Sequence, residues 1–349
     1  MKRFLTLIMG FIMAFSTLCF VGCKETPSEP VSIKYNEAPA VMQALVQDSL
    51  DFGLLPEPAA TKLETIIGKD YSWNRMSLQD LYNSQTKNYP QAVLMVKTSI
   101  LNSYPGLVNA VKSSFIENNV SWLKQNTNEA VKEISSKYAS TSLIPANVIT
   151  STVIDNCNIS WQDAMDAKAS VKSYINDILD IDIGLGIAPA VAPQDDFFYQ
   201  GSSETQVETT AGEPFTFYAP DGAPALAIAR FINFNERFTS NSSFDYNVVD
   251  AETITTYMNG SNSNGITADF IVLPVNAATK LYNNANAQYK MVSVITHGNL
   301  YIMSKAENNY KNVKDLEGNK IGVIGSGKVP DLTLKSVLKK KGMTHKTVA

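Results

Sequence analysis

The sequence predicts an α/β protein built from two related βαβαβ units. The first observation is a repeat, since "LDFGLLPEPAATKLE" at residues 50–64 and "ADFIVLPVNAATKLY" at residues 268–282 are identical at nine of fifteen positions. The second is that each copy reads as a buried strand running through Leu-Pro into an Ala-rich helix start. The third is a strand and helix near the chain end that lack a following strand. Such internal similarity indicates one structural unit used twice.

The second unit is complete and contiguous. "PFTFYAP" is predicted as a strand, "APALAIARFINF" as a helix, "FDYNVV" as a strand, "ETITTYMNG" as a helix and "ADFIVLP" as a third strand. Parallel strands need crossover helices of this kind between them. We name residues 215–318, which contain this unit, lobe 1.

The first unit has only its last three elements at the front of the chain: strand "VSIKYNE", helix "APAVMQALVQ" and strand "LDFGLLP". Its first strand and helix are predicted in "KIGVIGSGKVPDLTLKSVLKK", near the chain end. We therefore predict that strand 321–324 pairs in parallel, in one sheet, with 33–35 and 52–55. We interpret the order as circularly permuted, because Ala349 followed by Val31 would restore the spacing of the intact unit.

The remaining segments complete the predicted organisation. Apolar residues at helical spacing predict helices over 105–124 and 162–179. Residues 189–214 have few apolar residues outside one aromatic cluster, which is typical of a linker. The predicted parts are a signal peptide (1–23), a tether (24–30), lobe 2 (31–95 with 319–349), a hinge return with helices packing mainly on lobe 1 (96–188), the linker (189–214) and lobe 1 (215–318).

The N-terminus predicts export. A basic start is followed by an unbroken apolar run and by Gly22 and Cys23 before a polar stretch, as in a secretory signal with a lipoprotein-type cleavage site. Cys23 is then the lipidated first residue of the mature chain, which anchors the body to a membrane outside the cytoplasm. The alternative is an uncleaved membrane anchor, because 4–22 is about long enough to span. Cys157 would keep no cysteine partner, so no disulfide is expected.

Composition excludes several classes of function. A formal net charge of −4 gives no electrostatic footprint for nucleic acid. The two histidines and three cysteines do not cluster at metal-ligand spacing, so neither a metal site nor another cofactor is predicted. "GVIGSGKV" nearly matches a phosphate-binding loop, but Val329 replaces the hydroxyl residue that would hold Mg²⁺. An ATPase is therefore not favoured.

Two related lobes, export and four motifs together resemble bacterial ABC-transporter substrate-binding proteins with the periplasmic-binding-protein type II fold. The motifs are "YAPDGAPALAIA", "ADFIVLPVNAA", "VKDLEGNKIGVIGSGKVPDLTLKSVLKKKG" and "LDFGLLPEPAAT". Within that group the chain is most similar to the nitrate/sulfonate/taurine and thiamine-pyrimidine-precursor-binding relatives. The resemblance implies a monomeric binding protein without catalysis, whose lobes close on a small molecule and deliver it to an ABC permease.

The predicted site lies where strands end and helices begin, because ligands of open α/β sheets bind outside the carboxyl ends of strands. The candidate contacts are Asp221, Gly222, Ala223, Pro224, Pro274 and Asn276 from lobe 1, and Asn36, Glu57, Pro58, Ser326, Gly327 and Lys328 from lobe 2. Acidic Asp221, Glu57 and Asp331 favour a nitrogen heterocycle slightly over a sulfonate.

Several of these residues have a second interpretation. Glu57 and Asn276 are either helix caps or ligand contacts. Tyr35 and Tyr218 are either core or pocket, and Lys328 is either a solvated lysine or lies at the cleft mouth. His297 is predicted near the hinge, and the run 339–341 is predicted as a solvated helix end. Two other functions stay open: a ligand-sensing lipoprotein without transport, and an enzyme like the pyrimidine-synthesising proteins of this fold.

Overall fold

A computed structural model describes residues 29–138, 145–179, 181, 192–204, 214–238, 243–284 and 288–349. The predicted α/β class with two lobes is confirmed, since the strands form two separate six-stranded sheets. Cys23, the predicted signal peptide and most of the predicted tether lie outside the described residues. Among the residues described, none of the helices has both the length and the apolar character that crossing a membrane requires.

The strands in the described residues are β1 Val31–Tyr35, β2 Phe52–Pro56, β3 Trp73–Ser77, β4 Ala92–Lys97, β5 Ile159–Asp163, β6 Phe215–Pro220, β7 Phe244–Val249, β8 Phe270–Pro274, β9 Tyr289–Thr296, β10 Leu300–Lys305, β11 Lys320–Val323 and β12 His345–Thr347. β1, β2, β3, β10, β11 and β12 form sheet 2, and the other six form sheet 1.

The α-helices are α1 Ala38–Val46, α2 Ala59–Lys62, α3 Leu78–Tyr82, α4 Thr98–Ser103, α5 Pro105–Ser114, α6 Val120–Gln125, α7 Thr127–Lys137, α8 Ser151–Asn156, α9 Ala164–Leu179, α10 Ala223–Phe234, α11 Thr256–Asn259, α12 Val275–Asn284 and α13 Val329–Lys340. Single π-helical turns follow α2 at Leu63–Ile67 and α5 at Phe115–Asn119, and short 3-10 turns lie at Ala146–Val148, Asp195–Phe197, Ala306–Asn308 and Val313–Leu316.

Sheet 2 assembles from both ends of the described chain, in the order β12-β1-β11-β2-β10-β3. β11 pairs in parallel with β1 on one side, where Ile321 faces Ile33, and with β2 on the other, where Ile321 faces Phe52. β10 is antiparallel to β2 and to β3. The predicted pairing of the late strand with the two early ones is therefore confirmed.

Sheet 1 repeats this arrangement with contiguous strands, in the order β5-β9-β4-β8-β6-β7. β6 is flanked in parallel by β7 and β8, as β11 is flanked by β1 and β2. Matching carboxylates hold the two central strands, since Asp269 Oδ2 accepts from Thr216 N at 3.0 Å and Asp51 Oδ2 accepts from Lys320 N at 2.9 Å. The equivalence of the two repeats thus extends to individual hydrogen bonds.

The lobes differ at the strand that follows the first helix. α13 leads into β12, which pairs in parallel with β1 so that His345 faces Val31, and Val348 N donates to Ile33 O at 2.8 Å. Ala349 therefore lies along β1 and not at its first residue, and a direct link to Val31 would require β12 to leave the sheet. In lobe 1 the chain passes from α10 directly to β7. The permuted order stays a prediction.

The helices of residues 96–188 divide between two packing partners. Buried side chains of α4 to α8 form one core with sheet 1 and α10. Helix α9 instead belongs to a core that also contains α13. The Tyr174 and Thr333 hydroxyl oxygens lie 2.7 Å apart, and Lys340 Nζ lies 2.7 Å from Asp177 Oδ2. Helix α9 therefore packs on both lobes, because its single stripe of buried residues belongs to a core that contains side chains of both sheets.

The described part of the predicted linker packs onto sheet 1. Phe197 and Phe198 are fully buried, and Tyr199 N donates to Met291 O of β9 at 2.9 Å. The aromatic cluster that interrupts this polar segment explains the packing, because each buried ring removes a large apolar area from water. Residues 205–213 of the predicted linker lie outside the described residues.

Within the described residues the chain passes between the sheets twice, through 78–91 and through 297–299. The predicted lobe boundaries after 95 and after 318 are therefore displaced, because β4 belongs to sheet 1 and β10 to sheet 2. The two crossings contact each other: Tyr89 N donates to His297 O at 3.3 Å, and Gln91 Nε2 donates to Asn299 Oδ1 at 2.7 Å. Gly298 has φ +95°, and a Cβ there would lie 2.8 Å from the Tyr89 ring. We call these two crossings the hinge.

Candidate functional site

The loops that follow the parallel strands of the two sheets meet each other. In each sheet, three parallel strands end on one edge, so the loops after β7, β6 and β8 are neighbours, as are those after β1, β11 and β2. Asn276 Nδ2 lies 3.4 Å from Gly327 O, and Lys328 forms an ion pair with Glu252. Both contacts join lobe 1 to lobe 2. We call the junction between these loops the cleft.

The loop after β6 has a backbone that only glycine adopts readily. Gly222 has φ +91° and ψ −145°, and a Cβ there would find no atom within 4 Å. Asp221 is buried, and its Oδ1 accepts the Gly222 N–H at 2.7 Å. Helix α10 then begins at Ala223 with Pro224 in its first turn. The predicted loop 221–224 therefore lies at the same edge of sheet 1 as Asn276, with open space beside Gly222.

The loop after β8 brings a buried amide to the contact between the lobes. Pro274 ends the strand, and Val275 turns into the core with no exposed surface. Asn276 is 8% exposed, and its Oδ1 has no hydrogen-bond partner among the described residues. Since Nδ2 is aimed at a carbonyl oxygen, the buried Oδ1 is the acceptor end of the amide. Asn276 lies inside α12 and not before its first residue, and its contact with a ligand stays a prediction.

The loop after β11 is stabilised by a buried network of hydrogen bonds and charges around Asp331. Asp331 is fully buried and accepts from Gly327 N at 2.8 Å, from Tyr35 Oη at 2.9 Å and from Lys335 Nζ at 3.0 Å. Burial alone would lower the Lys335 pKa, but the charge of Asp331 and the hydrogen bonds to Tyr35 and Asp331 together outweigh it, and the pKa is raised. Burial also raises the pKa of Tyr35. Tyr35 therefore stabilises this loop through its hydrogen bond to Asp331.

The rim of the cleft is polar and accessible. Ser326 is exposed, and the Lys328 side chain is 39% exposed despite its ion pair with Glu252. Lys328 therefore lies at the cleft mouth, one of its two predicted environments. Sequence reasoning missed Glu252, although its position just after a strand of the repeat was the same signal that identified the other loops.

Glu57 lies deep in the protein, where other protein groups occupy both of its oxygens. It is 1% exposed, forms an ion pair with Arg75, and accepts from Thr61 N at 3.2 Å, Thr61 Oγ1 at 2.9 Å and Asn156 Nδ2 at 3.1 Å. Burial would lower the Arg75 pKa, but the charge and hydrogen bond of Glu57, with smaller contributions from Tyr301 and Glu64, together outweigh it, and the pKa is raised. The structure favours the structural interpretation of Glu57. Neighbouring Pro58 is buried as well.

Two other predicted residues lie near the strand ends. Asn36 follows β1, is partly exposed, and donates its N–H to Val323 O at 3.1 Å. Tyr218 is 5% exposed and stacks on Tyr257 with ring centroids 4.5 Å apart. Burial, with the nearby Tyr257 and Asp245, raises the pKa of Tyr218 to about 12. Tyr218 is therefore core, whereas a ligand contact of Asn36 stays a prediction.

His297 lies in the hinge, as predicted. Its Nδ1 lies 3.1 Å from Ser160 Oγ and its Nε2 lies 3.3 Å from Gln162 Oε1. Burial lowers the pKa of His297, and its backbone hydrogen bond to Asn158 opposes that shift only in part. Neutral imidazole satisfies both contacts, because one ring nitrogen accepts and the other donates. Across the described residues, no three His, Cys, Asp or Glu side chains come together as a metal site would require.

Two surface cavities lie beside the packed linker segment, near β9 of sheet 1. They have volumes of about 420 and 460 Å³, and both are lined by Tyr199 and Gln200. None of the predicted site residues lines either cavity. They are therefore separate from the cleft.

One family model matches part of the chain. Residues 268–349, which run from the end of the lobe 1 repeat to the end of lobe 2, match the family described as NMT1/THI5 like. No curated protein matches. The family match therefore covers both the loop that carries Asn276 and the loop that carries Gly327.

Three solved structures show distant similarity. An oligopeptide-binding protein, AppA, from Bacillus subtilis in complex with a nonapeptide has 10% identity and a TM-score of 0.31, over 80% of this chain and 57% of that one. The ABC transporter substrate-binding protein CtaP from Listeria monocytogenes has 10% identity and a TM-score of 0.27, over 78% and 54%. A periplasmic oligopeptide-binding protein from Thermotoga maritima has 11% identity and a TM-score of 0.29, over 87% and 50%.

The chain spans only about half the length of these three proteins. Likenesses at TM-scores this low say nothing about a ligand or a partner. The similarity of this chain to a known family is thus local, to NMT1/THI5-like proteins over residues 268–349.

Proposed function

We propose that this protein is an extracytoplasmic solute-binding protein that holds a small molecule between its two lobes and delivers it to an ABC importer. One observation carries the proposal: strand-end loops of both lobes meet around Asn276, whose buried carbonyl oxygen has no partner in the described chain. A buried acceptor of this kind costs free energy unless a partner arrives. A ligand between the lobes would supply that partner.

The geometry also supports closure as the binding mechanism. The lobes are joined by the two hinge crossings, and their rims touch through Lys328 and Glu252. Rotation about the hinge would separate these contacts and admit a solute, and the same contacts would re-form around it. The proposed ligand contacts are Asn36, Asp221, Gly222, Ala223, Pro224, Pro274, Asn276, Ser326, Gly327 and Lys328. Glu57 and Pro58 brace the loop behind them.

The location and the transport partner rest on the sequence. The signal-like N-terminus and Cys23 support a lipid-anchored monomer outside the cytoplasm, and the resemblance supports an ABC permease as its partner. Labelling with a lipid precursor should mark the wild-type chain and not Cys23→Ser, which should accumulate unprocessed. A Cys23→Ser chain that is cleaved at the same bond and still fractionates with membranes would contradict lipidation.

Ligand binding is tested on the protein as it is purified from its own cells. Mass spectrometry under native conditions should find one small molecule per chain, which denaturation releases chemically unchanged. Titration calorimetry with that molecule should show saturable binding that Asn276→Leu weakens, while Asn128→Leu on the exposed face of α7 has no effect. Equal binding by both variants would refute the assignment of the cleft. Conversion of the molecule during incubation would refute binding without catalysis.

A further inference from the structure

Both glycine loops that could hold an anion are already occupied by carboxylates of the protein. Backbone N–H groups at helix starts normally attract phosphate or sulfonate oxygens. Here Asp221 Oδ1 accepts the Gly222 N–H at 2.7 Å in lobe 1, and Asp331 Oδ2 accepts the Gly327 N–H at 2.8 Å in lobe 2. An oxyanion could accept neither of these N–H groups without displacing a carboxylate oxygen.

The helix starts behind these loops offer fewer donors than usual. Pro224 and Pro330 occupy the first turn of α10 and α13, and Pro39 occupies the first turn of α1. Proline has no N–H, so each of these helices loses one of the donors that an anion would use. The same positions in an anion site would normally contribute hydrogen bonds.

The cations around the cleft are also engaged. Arg75 pairs with Glu57, Lys335 with Asp331, and Lys328 with Glu252. Glu57 and Asp331 therefore add little net charge at the cleft, which corrects the weight that the sequence gave to them. The negative charge of Glu252 likewise weakens the attraction of Lys328 for an anion at the rim.

The amide of Asn276 indicates what the cleft accepts instead. It is more than nine-tenths buried at the contact between the lobes. Its Oδ1, an acceptor, has no hydrogen-bond partner among the described residues. From this amide and the two occupied glycine loops we infer that the ligand is an uncharged or cationic molecule that donates an N–H or O–H to Asn276, and not an oxyanion. This inference rests on the proposed function, and it names the chemical class of the ligand.

The test compares two sets of probes on the full chain after bound solute has been removed. One set is nitrate, sulfate, inorganic phosphate and methanesulfonate, each titrated by calorimetry. The other is an extract of polar metabolites, from which bound compounds are recovered and identified by mass spectrometry and then titrated. The variants are Asn276→Leu, Asp221→Asn, and Asn128→Leu as the matched control.

We expect no binding of the four oxyanions and recovery of a neutral or cationic compound with N–H or O–H donors. Asn276→Leu should weaken that compound about tenfold or more, the effect of losing one hydrogen bond that leaves a buried donor unsatisfied. Asp221→Asn, which removes a negative charge, should not raise its affinity. Asn128→Leu should bind as the wild type does.

Binding of an oxyanion from either set, with an affinity that Asp221→Asn raises, would overturn the inference and leave the proposed function intact. A recovered donor compound whose affinity is the same in Asn276→Leu would overturn the role of the amide. If neither set contains a compound that binds, the proposed function is refuted and the inference is refuted with it.

Discussion

The two copies of the repeat fold alike but use the same loop for opposite purposes. Glu57 and Pro58 of lobe 2 occupy the positions that Val275 and Asn276 occupy in lobe 1. In lobe 2 the loop is braced by a buried ion pair, and in lobe 1 an apolar side chain fills the core while an amide reaches the other lobe. The positions at which the two repeats differ, and not the residues that they share, are therefore where we propose that structural support in lobe 2 is replaced by ligand contact in lobe 1.

The largest difference in the free energy of unfolding should appear between variants of the two aspartates that accept a glycine N–H, Asp331 and Asp221. Asp331→Ala would leave Lys335 buried without its carboxylate, which should lower the free energy of unfolding by about 3–5 kcal/mol. Asp221→Ala, in the intact lobe, removes a carboxylate that bonds the next residue and should cost about 1 kcal/mol. Urea denaturation measures both.

The double variant Asp331→Leu with Lys335→Met is the control, because removing both charges should recover much of the loss. Equal effects of Asp331→Ala and Asp221→Ala would contradict a difference in support between the two loops.

The next effect concerns the divergent positions of the repeat. Glu57→Ala should lower the free energy of unfolding of the ligand-free protein by about 2–3 kcal/mol, because Arg75 and Asn156 lose a charged acceptor. Arg75 keeps its contact with the Tyr301 ring, so the loss stays below that of a fully orphaned buried charge. Asn276→Ala should change unfolding by about 1 kcal/mol or less and should abolish most ligand binding. The reverse pattern would exchange the roles of the two loops.

His297 in the hinge should make the free energy of unfolding depend on pH. Because burial lowers the folded-state pKa of His297, the unfolded chain binds a proton at higher pH than the folded chain does. The stability that neutral His297 provides is present above about pH 6.5, the unfolded pKa, and is lost as the pH falls below it. Denaturation at several pH values should show this slope, reduced in His297→Gln and unchanged in His345→Gln on exposed β12. Identical slopes in all three proteins would exclude His297 as the cause.

The smallest effect should come from the rim. The ion pair of Lys328 and Glu252 is largely exposed, so Glu252→Gln should change ligand affinity by about 1 kcal/mol or less, and the change should shrink in high salt. Calorimetry at two salt concentrations measures it. A larger, salt-independent effect would place Glu252 in direct contact with the ligand.

The sequence predicted the sheets because it contained the repeat. Identical Asp, Phe and Pro residues required identical strand ends, and the pairing of Ile321 with Ile33 and Phe52 followed from that equivalence. It did not predict that Glu57 is neutralised by Arg75, because the two residues are eighteen positions apart in the chain, with helix α2 between them. Contacts that depend on how two strands are placed in space leave no periodic pattern.

Other features were missed for similar reasons. Helix α9 packs on both lobes, and Phe197 and Phe198 bury a segment that composition predicted as a linker. Averages over a segment hide a pair of aromatic residues whose burial outweighs the polar residues around them. β12 was missed because it is only three residues long and because its side chains are polar and exposed.

The central claim is that a solute enters and leaves only when the two lobes separate at the cleft. A double variant, Glu252→Cys with Lys328→Cys, can be joined across the rim by a bismaleimide, and buried Cys157 does not compete for the reagent. Binding of the solute recovered from the native protein is then measured by calorimetry, with the same variant blocked by N-ethylmaleimide as the matched control. We predict that cross-linking without solute abolishes binding, that cross-linking with solute retains it through dialysis, and that the blocked control binds and releases normally. Equal binding and release by the cross-linked and blocked proteins would contradict the claim.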